Sequence, residues 1–357
     1  MRGSLLRRLV IIFGILFGVQ FYIWSRIVAP LPDPWRQIGT VALVVLAPSL
    51  FYGRSISRRL TREQAKPWLY VTYVWFGLAT YLFLAVMIGD VVHLFVNVDR
   101  RTLAIVELCS SAAIVLYGLG HVARGAQVRS VEIKLPKLGR PYRLVQLTDV
   151  HIGPMLGREF AEDVVAKVNA LDPDLIVLTG DIVDGRLTEL KEHVEPLRDL
   201  RARDGVYAVS GNHEYYWNGD AWLDYLAGMG IHVLRNRHVT IADAFVLAGT
   251  DDVTATEDLP TALAGRDRSL PVILLAHHPS TIERSRSQGV DLQLSGHTHG
   301  GQLLPLGWLC RLFEPLAAGL GQFGDTQLYV SEGTGFWGPP LRVGTTQEIT
   351  QIQLQPI

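Results

Sequence analysis

The chain has 357 residues and a formal net charge of −1, and its composition is 48% hydrophobic and 19% charged. This balance argues against a disordered chain, and the lack of a basic excess argues against a nucleic-acid partner. The two cysteines lie far apart in sequence, which argues against a disulfide framework, and no Cys-x-x-Cys pair indicates a thiolate zinc site.

The first third of the chain contains four long apolar runs, at Leu9–Ile27, Ile38–Tyr52, Trp68–Phe95 and Leu103–His121. A helix needs about 20 apolar residues to cross the hydrocarbon core, which the first, third and fourth runs provide. The second run is shorter, so a tilted or interfacial segment is an alternative to a span. The first run is placed like a signal peptide, but no small-residue cleavage site follows it. We therefore predict an all-α transmembrane region of about four helices over residues 1–125, followed by a linker over 126–140.

Basic residues between the apolar runs predict how this region is oriented. The side that includes the N-terminus carries Arg2, Arg7, Arg8, Arg54, Arg58, Arg59, Arg62, Lys66, Arg124 and Arg129, and the opposite side carries Arg26, Arg36, Arg100 and Arg101. By the positive-inside rule the N-terminus is cytoplasmic, and an even number of spans leaves the C-terminal domain cytoplasmic too. The prediction reverses if the second run does not cross. Within the runs we note Asp90 and His93, near the outer end of the third, as weak support for a transporter.

From residue 141 onward, short apolar runs alternate with helical patterns. Strands are predicted at Tyr142–Leu147, Leu175–Thr179, Val206–Ser210, Phe245–Ala248, Val272–Ala276, Leu292–Leu294, Leu328–Val330 and Glu348–Leu354, and helices at Arg158–Leu171 and Leu187–Leu200. This alternation predicts a layered α/β domain over residues 141–357 with a buried sheet. Polar residues follow several of these strands directly, and the carboxyl ends of strands are where α/β sheets bind ligands.

Five short motifs follow separate predicted strands and carry the candidate chemistry. They are Asp149-Val150-His151, Gly180-Asp181-Ile182-Val183-Asp184, Gly211-Asn212-His213-Glu214, Leu275-Ala276-His277-His278-Pro279 and Gly296-His297-Thr298-His299-Gly300. A single Asp or His in such a place is more often a turn, cap or packing residue. The segment His297-Thr298-His299 places two imidazoles on one side of an extended chain, because side chains alternate there. Together the five motifs predict a metal site.

This set of motifs resembles the calcineurin-like metallophosphoesterase family, over about residues 141–357. The segment from Gly333 to Arg342 (GTGFWGPPLR) is similar to the bacterial membrane-anchored YkuE/YaeI-type branch. The resemblance implies a four-layer α/β/β/α sandwich and a site with two divalent metal ions. It implies one metal held by Asp149, His151 and His299, a second held by Asn212, His277 and His297, with Asp181 bridging both and His213 acting at the leaving group. His278 is an alternative to His277 as the ligand.

Mixed oxygen and imidazole ligands suit manganese, iron or zinc. With two dications, two aspartates and a bridging hydroxide, the site keeps a charge of about +1, which suits an anionic phosphate, and the hydroxide attacks phosphorus in line. We expect Asp184 to orient a ligand or a turn. Arg342 is assigned either a phosphate contact or a surface salt bridge, and Phe336 and Trp337 are assigned to the core rather than to a substrate platform.

The predicted function is hydrolysis of a phosphomonoester, phosphodiester or pyrophosphate at the cell membrane. The anchor suggests a lipid substrate, either a phospholipid or a nucleotide-linked lipid such as a UDP-diacylglucosamine-type pyrophosphate. No nucleic-acid partner and no obligate protein partner is predicted. One alternative is a metal-binding scaffold or sensor on a membrane anchor, without turnover. Another is a transporter or channel that the soluble domain regulates.

Overall fold

The structure is a computed structural model that describes residues 2–49 and 60–357. The chain divides into two compact units, Met1–Gly120 with Gly338–Leu341, and His121–Trp337 with Arg342–Ile357. We call them the helical unit and the α/β unit. Arg54, Arg58 and Arg59, on which the predicted orientation partly depends, and the end of the second apolar run lie outside the described residues.

The helical unit contains helices α1 Arg2–Ile23, α2 Trp35–Leu46, α3 Arg62–His93 and α4 Arg100–Val122. Helix α1 continues as a wider turn over Trp24–Val28, where the Ala29 amide donates to the carbonyl of Trp24, five residues earlier. Among the described residues, α3 and α4 are long and apolar enough to cross a membrane, and the apolar stretches Phe13–Val28 and Trp35–Leu46 are shorter. The first two predicted spans therefore stay predictions.

An ionic cluster lies near one end of these helices. Asp90 accepts hydrogen bonds from Tyr22 at 2.6 Å and from Arg26 at 3.0 Å, and Arg100 lies 3.4 Å from the same carboxylate. Arg100 also donates to Glu107 at 2.5 Å, and Glu107 is almost fully buried. The sequence analysis noted Asp90 and His93 but not Glu107. The carboxylates of Asp90 and Glu107 are thus paired with arginines within the helical unit.

The α/β unit contains two six-stranded sheets. The first has the strand order β1-β12-β2-β3-β4-β5, and the second has β10-β11-β9-β8-β7-β6. The strands are β1 Gln127–Leu135, β2 Tyr142–Leu147, β3 Leu175–Thr179, β4 Val206–Val209, β5 His232–Val233, β6 Arg237–Ile241, β7 Phe245–Gly249, β8 Val272–Leu275, β9 Leu292–Ser295, β10 Gly319–Phe323, β11 Thr326–Val330 and β12 Glu348–Pro356. Strands β2 to β5 are parallel to one another, as are β7, β8, β9 and β11.

The two sheets share one apolar core and carry helices on their outer faces. Leu144 and Val177 of the first sheet pack in the same cluster as Leu247 and Leu294 of the second. The helices are α5 Arg158–Ala170, α6 Leu187–Val194, α7 Asn212–Tyr216, α8 Gly219–Gly228, α9 Leu259–Leu263, α10 Ile282–Ser285 and α11 Gly307–Cys310. Helices α5, α6 and α8 pack on the first sheet, and α9 packs on the second. Because both faces are covered, central strands such as LIVLT of β3 are buried along their whole length. The predicted α/β class is confirmed.

The prediction of a linker over residues 126–140 is wrong for most of that segment. Gln127–Leu135 form β1, which pairs in parallel with β12 from Gln127↔Glu348 to Leu135↔Pro356. Its first half is exposed, which is why no apolar run marks it, whereas Ile133 and Leu135 are buried between the sheets. This segment is therefore part of the folded α/β unit.

Candidate metal centre

The predicted site lies where strand ends of the two sheets meet. Gln146 in β2 donates to the carbonyl of Ser295 in β9 at 3.0 Å, and His277 Nδ1 lies 2.8 Å from the carbonyl oxygen of Thr179, the last residue of β3. The predicted metal-binding and catalytic residues follow β2, β3, β4, β8 and β9 directly, and all of them except the half-buried His297 are buried. Parallel strands present their carboxyl ends at one edge, so five segments distant in sequence reach one place.

The first predicted ligand set is grouped as expected. The potential ligand atoms of Asp149, His151 and His299 all lie within 4.8 Å of one another. The two imidazoles face each other with 3.0 Å between their Nε2 atoms. His299 Nε2 lies 3.4 Å from Asp149 Oδ1, and His151 Nε2 lies 3.9 Å from the same oxygen. Three such atoms directed at one point are what a divalent cation requires.

The second predicted set is centred on His277. Its Nε2 lies 3.1 Å from Asp181 Oδ2, and the ligand atoms of His277 and His297 belong to a group within 4.8 Å that also includes His278. Asn212 is buried at the start of α7, and its Nδ2 donates to Tyr216 at 3.1 Å. Asp181 Oδ2 is also 4.0 Å from His151 Nε2, so its carboxylate faces both sets.

The backbone that carries these ligands is strained. Asp149, His151, Asp181, His297 and His299 have φ between 49° and 71°, the left-handed region that residues with a Cβ rarely adopt. Such conformations cost about 1–3 kcal/mol each, and they persist where the surrounding structure fixes them. Gly180, with φ of 91°, is needed beside them, because a Cβ there would lie 2.7 Å from both His277 Nδ1 and the Gly211 amide nitrogen.

Three of the histidines are held neutral. Burial, followed by the neighbouring imidazoles of His299 and His213, lowers the pKa of His151 to about 3. Burial, followed by the charges of His277 and His278, lowers the pKa of His297 to about 3. Burial and the Arg342 guanidinium hold the pKa of His299 well below its usual value. A neutral imidazole keeps a nitrogen lone pair, which is the form that binds a metal.

Two other histidines of the site, His277 and His213, each lie beside a carboxylate that favours the protonated imidazole. Burial alone would lower the pKa of His277, but the Asp181 carboxylate outweighs it and raises that pKa well above its usual value. Burial alone would raise the pKa of Asp181, but the neighbouring imidazoles, His277 first among them, hold it well below its usual value. His213 Nδ1 lies 3.3 Å from Asp184 Oδ1, and Asp184 raises the pKa of His213 against the effect of burial. A cation bound at Asp181 would take the place of the proton on His277 and balance the same carboxylate charge.

One polar atom of the site fits a metal better than it fits the protein alone. Asn212 Oδ1 is buried and makes no hydrogen bond with any described residue. Buried polar atoms are otherwise nearly always paired, because an unpaired one costs free energy. An amide oxygen, imidazole nitrogens and two aspartates form a donor set that suits manganese, iron or zinc.

Two residues beside the site, Glu214 and Asp252, were not predicted, and His278 was predicted only as an alternative ligand. Glu214 is fully buried and accepts four backbone hydrogen bonds at 2.7–3.1 Å, from Asp181, Ile182, Val183 and Gly211. Burial and the charge of Asp181 raise its pKa to about 7, although the backbone amides oppose the rise. The ring of His278, the alternative ligand to His277, lies 3.8 Å from that of His297. The His278 Nε2 atom is 3.2 Å from Asp252 Oδ2, and Asp252 follows β7 in the same strand-end pattern that marked the other ligands.

Two expectations about the segment from Gly333 to Arg342 need correction. Arg342 forms no surface salt bridge: it is fully buried and donates to the carbonyls of His299 at 2.8 Å and Gly335 at 2.5 Å. These hydrogen bonds hold the turn that carries His299 in place. Phe336 is buried as expected, but Trp337 is 46% exposed, and its ring lies 5.9 Å from the ring of His213.

Comparison with known proteins agrees with this geometry. Residues 142–301 match the family model described as calcineurin-like phosphoesterase. An uncharacterized metallophosphoesterase of Campylobacter jejuni is 30% identical over 364 residues, which cover 96% of each chain. The chain belongs to the calcineurin-like phosphoesterase family. The metallophosphoesterase YkuE of Bacillus subtilis, also uncharacterized, is 34% identical over 60% of this chain and 79% of that protein.

A longer relative of this phosphoesterase comes from Danio rerio. It is named a transmembrane protein with metallophosphoesterase domain, and it is 38% identical over 272 residues. The match covers 70% of this chain and 62% of that protein. The chain thus spans less than two thirds of this relative's length.

Proposed function

We propose that this phosphoesterase hydrolyses phosphoesters with two divalent metal ions held by the motifs that follow β2, β3, β4, β8 and β9. The observation that carries the proposal is the grouping of buried Asp and His ligand atoms within 4.8 Å of one another, with Asp181 facing both groups. Strained backbone at five of these residues is typical of a functional site rather than of a packed core.

The proposed ligands are those that the family resemblance implies. Asp149, His151 and His299 would hold one ion, Asn212, His277 and His297 would hold the other, and Asp181 would bridge them. When bound, the pair of ions would supply Lewis-acid polarisation and offset the charge of the phosphoryl group. Manganese, iron and zinc all suit these donors.

His213 is proposed to give a proton to the leaving oxygen as its bond to phosphorus breaks. Asp184 Oδ1, which lies 3.3 Å from His213 Nδ1 and accepts from Trp217 Nε1 at 3.0 Å, fixes the imidazole ring. The other ring nitrogen, Nε2, lies 3.9 Å from Asp181 Oδ2 and so faces the proposed metal site. A proton donor held by a carboxylate in this way is a common arrangement in general acid catalysis.

We further propose that the protein is a multi-pass membrane protein with its α/β unit on the cytoplasmic side. Helices α3 and α4 have the length and composition of spans, and the basic residues are distributed as the positive-inside rule requires. The name of the Danio rerio relative supports the membrane location. The proposed substrate is a lipid phosphoester, either a phospholipid or a nucleotide-linked lipid pyrophosphate.

Activity and metal content of the full chain test the proposal together. A chromogenic phosphate bis-ester with added manganese serves as the substrate, and elemental analysis gives the metal content. His213→Ala should keep both metal ions and lose about a hundredfold or more in kcat. Asp181→Asn should lose metal and activity together.

His232→Ala, at an exposed histidine distant in sequence from the motifs, is the control and should match the wild type. A wild-type protein that binds two metal ions but hydrolyses neither the bis-ester nor lipid substrates would favour the alternative of a non-catalytic scaffold or sensor. A wild-type protein that binds no metal would overturn the proposed ligand set.

A further inference from the structure

A cluster of apolar side chains stands exposed on one loop of the α/β unit. We call residues 303–316 the apolar loop. Its Trp308, Leu309, Leu312 and Phe313 are 64%, 53%, 74% and 82% exposed. Other exposed large hydrophobic residues of the α/β unit, such as Val128, Val253 and Leu320, are scattered singly. Single exposed hydrophobics are ordinary, but four within six consecutive residues mark an interaction surface.

The base of the apolar loop is fixed to the segment that carries His297 and His299. Close backbone packing holds its first part, because a Cβ on Gly301 would lie 2.0 Å from the Cα of Gly307. At its far end, the hydroxyl of Thr298, between the two histidines, donates to the carbonyl of Ala317 at 2.5 Å. The Leu304 amide also donates to the carbonyl of Val343 at 3.0 Å. Both ends of the apolar loop are therefore attached to the segment that carries His297 and His299.

The chemistry of the tip is that of a membrane interface. A tryptophan and a phenylalanine stand with two leucines, and the exposed Arg311 lies among them in sequence. Aromatic rings settle at the level of the lipid headgroups, apolar chains enter the acyl boundary, and an arginine is attracted to lipid phosphates. A protein groove would suit the apolar side chains equally well. The bilayer is favoured because this same chain contains two helices of spanning length and composition.

We infer that the tip of the apolar loop inserts into the lipid headgroup region of the bilayer that anchors the chain. Insertion would place the segment of His297 and His299 beside that surface, so a phosphoester on a lipid headgroup would reach the site without leaving the membrane. This consequence for substrate rests on the proposed function, but the docking surface itself does not.

The first test measures lipid contact without any catalysis. The full chain carries Cys109→Ser and Cys310→Ser, and a fluorescent label is attached at Phe313→Cys or, as the control, at Leu320→Cys. Leu320 is 44% exposed on strand β10, outside the loop. Both proteins are reconstituted into phosphatidylcholine vesicles that contain a nitroxide quencher in the acyl chain. Quenching at position 313 should exceed that at position 320 several-fold, and equal quenching at both positions would overturn the inference.

The second test uses substitutions outside the proposed catalytic machinery. Leu312→Ser with Phe313→Ser should leave the Tm and the hydrolysis of a water-soluble bis-ester unchanged, because both side chains are already in solvent. Hydrolysis of a phosphoester lipid in vesicles should fall about tenfold, since two apolar side chains no longer enter the bilayer. An equal fall in the hydrolysis of both substrates would contradict the inference. In the labelling test, a label at position 313 that contacts a second copy of the chain rather than lipid would also contradict it. If the wild type hydrolyses neither substrate, the proposed function fails, and quenching alone decides the docking surface.

Discussion

The carboxylate of Glu214 joins two of the site motifs through their backbones. One oxygen accepts from the amides of Asp181 and Gly211 at 3.0 and 2.7 Å, and the other accepts from Ile182 and Val183 at 2.7 and 3.1 Å. This arrangement fixes the strained turn at Asp181 relative to the start of α7, where Asn212 and His213 lie. Glu214 is thus a positioning residue that is expected to act on the metal through Asp181.

Glu214→Gln should weaken both the fold and metal binding. The new amide group would direct N–H groups at two backbone donors, so two hydrogen bonds would be lost and two donors left unpaired. We expect the free energy of unfolding to fall by about 3 kcal/mol. Metal affinity should fall about tenfold to a hundredfold, as for other residues that orient ligands. Thermal unfolding in detergent and metal titration measure the two effects.

Glu189→Gln is the matched control, since Glu189 is an exposed glutamate of α6 whose carboxylate lies 3.5 Å from the Arg186 guanidinium. It should change neither quantity by a measurable amount. A Glu214→Gln protein with the Tm and metal affinity of the wild type would show that the four hydrogen bonds do not position Asp181.

At the residue scale, strand-end motifs predicted the proposed ligands, because polar side chains after apolar strands are visible in the sequence. Glu214 was visible within the motif Gly211-Asn212-His213-Glu214, but its role depends on the packing of residues 180–183 against Gly211. Asp252 could have been found by the same pattern, since it follows β7. Arg342 could not, because a buried arginine that donates to carbonyls, a hydroxyl and the Nδ1 atom of His299 has no sequence signature.

At the element scale, the strands that sequence analysis predicted and those it missed differ in position. The predicted strands are the eight central ones, and they match the structure to within two residues at each end. The missed strands are β1 and β5 at the edges of the first sheet and β6 and β10 at the edges of the second. An edge strand is half in solvent and needs no continuous apolar run, so its sequence resembles a loop.

Strand β1 provides a direct test, because the sequence predicted a linker there. Leu135→Ala should lower the free energy of unfolding by about 3 kcal/mol, since the side chain is fully buried between the two sheets. Val128→Ala on the same strand is the control and should have little effect, because Val128 is 43% exposed. Denaturant unfolding of the full chain measures both. Equal, small effects at the two positions would restore the linker interpretation.

At the scale of the whole molecule, the α/β unit brings buried carboxylates together. Asp149 and Asp181 share one group of potential ligand atoms within 4.8 Å, and both are almost fully buried. Two buried like charges at this separation repel each other, and the proton that Asp181 keeps on His277 offsets that repulsion, a role that a bound cation would take over. Folding therefore holds the site in a shape that a cation would stabilise.

Divalent metal should accordingly raise the Tm of the full chain. A ligand that binds only the folded state stabilises it by about 2.7 kcal/mol at a hundredfold excess over its Kd, so removing the metal with a chelator should lower the Tm by several degrees. Adding back manganese or zinc should restore it, because the strained ligand segments are held by the surrounding sheets and stay in place. Asp181→Asn removes the proposed bridging charge and relieves the repulsion, so its Tm should respond much less to either treatment. Scanning fluorimetry with metal analysis of each sample measures the effect. A wild-type Tm that stays constant while the metal content falls to zero would mean that these side chains do not form a cation site that is coupled to the fold.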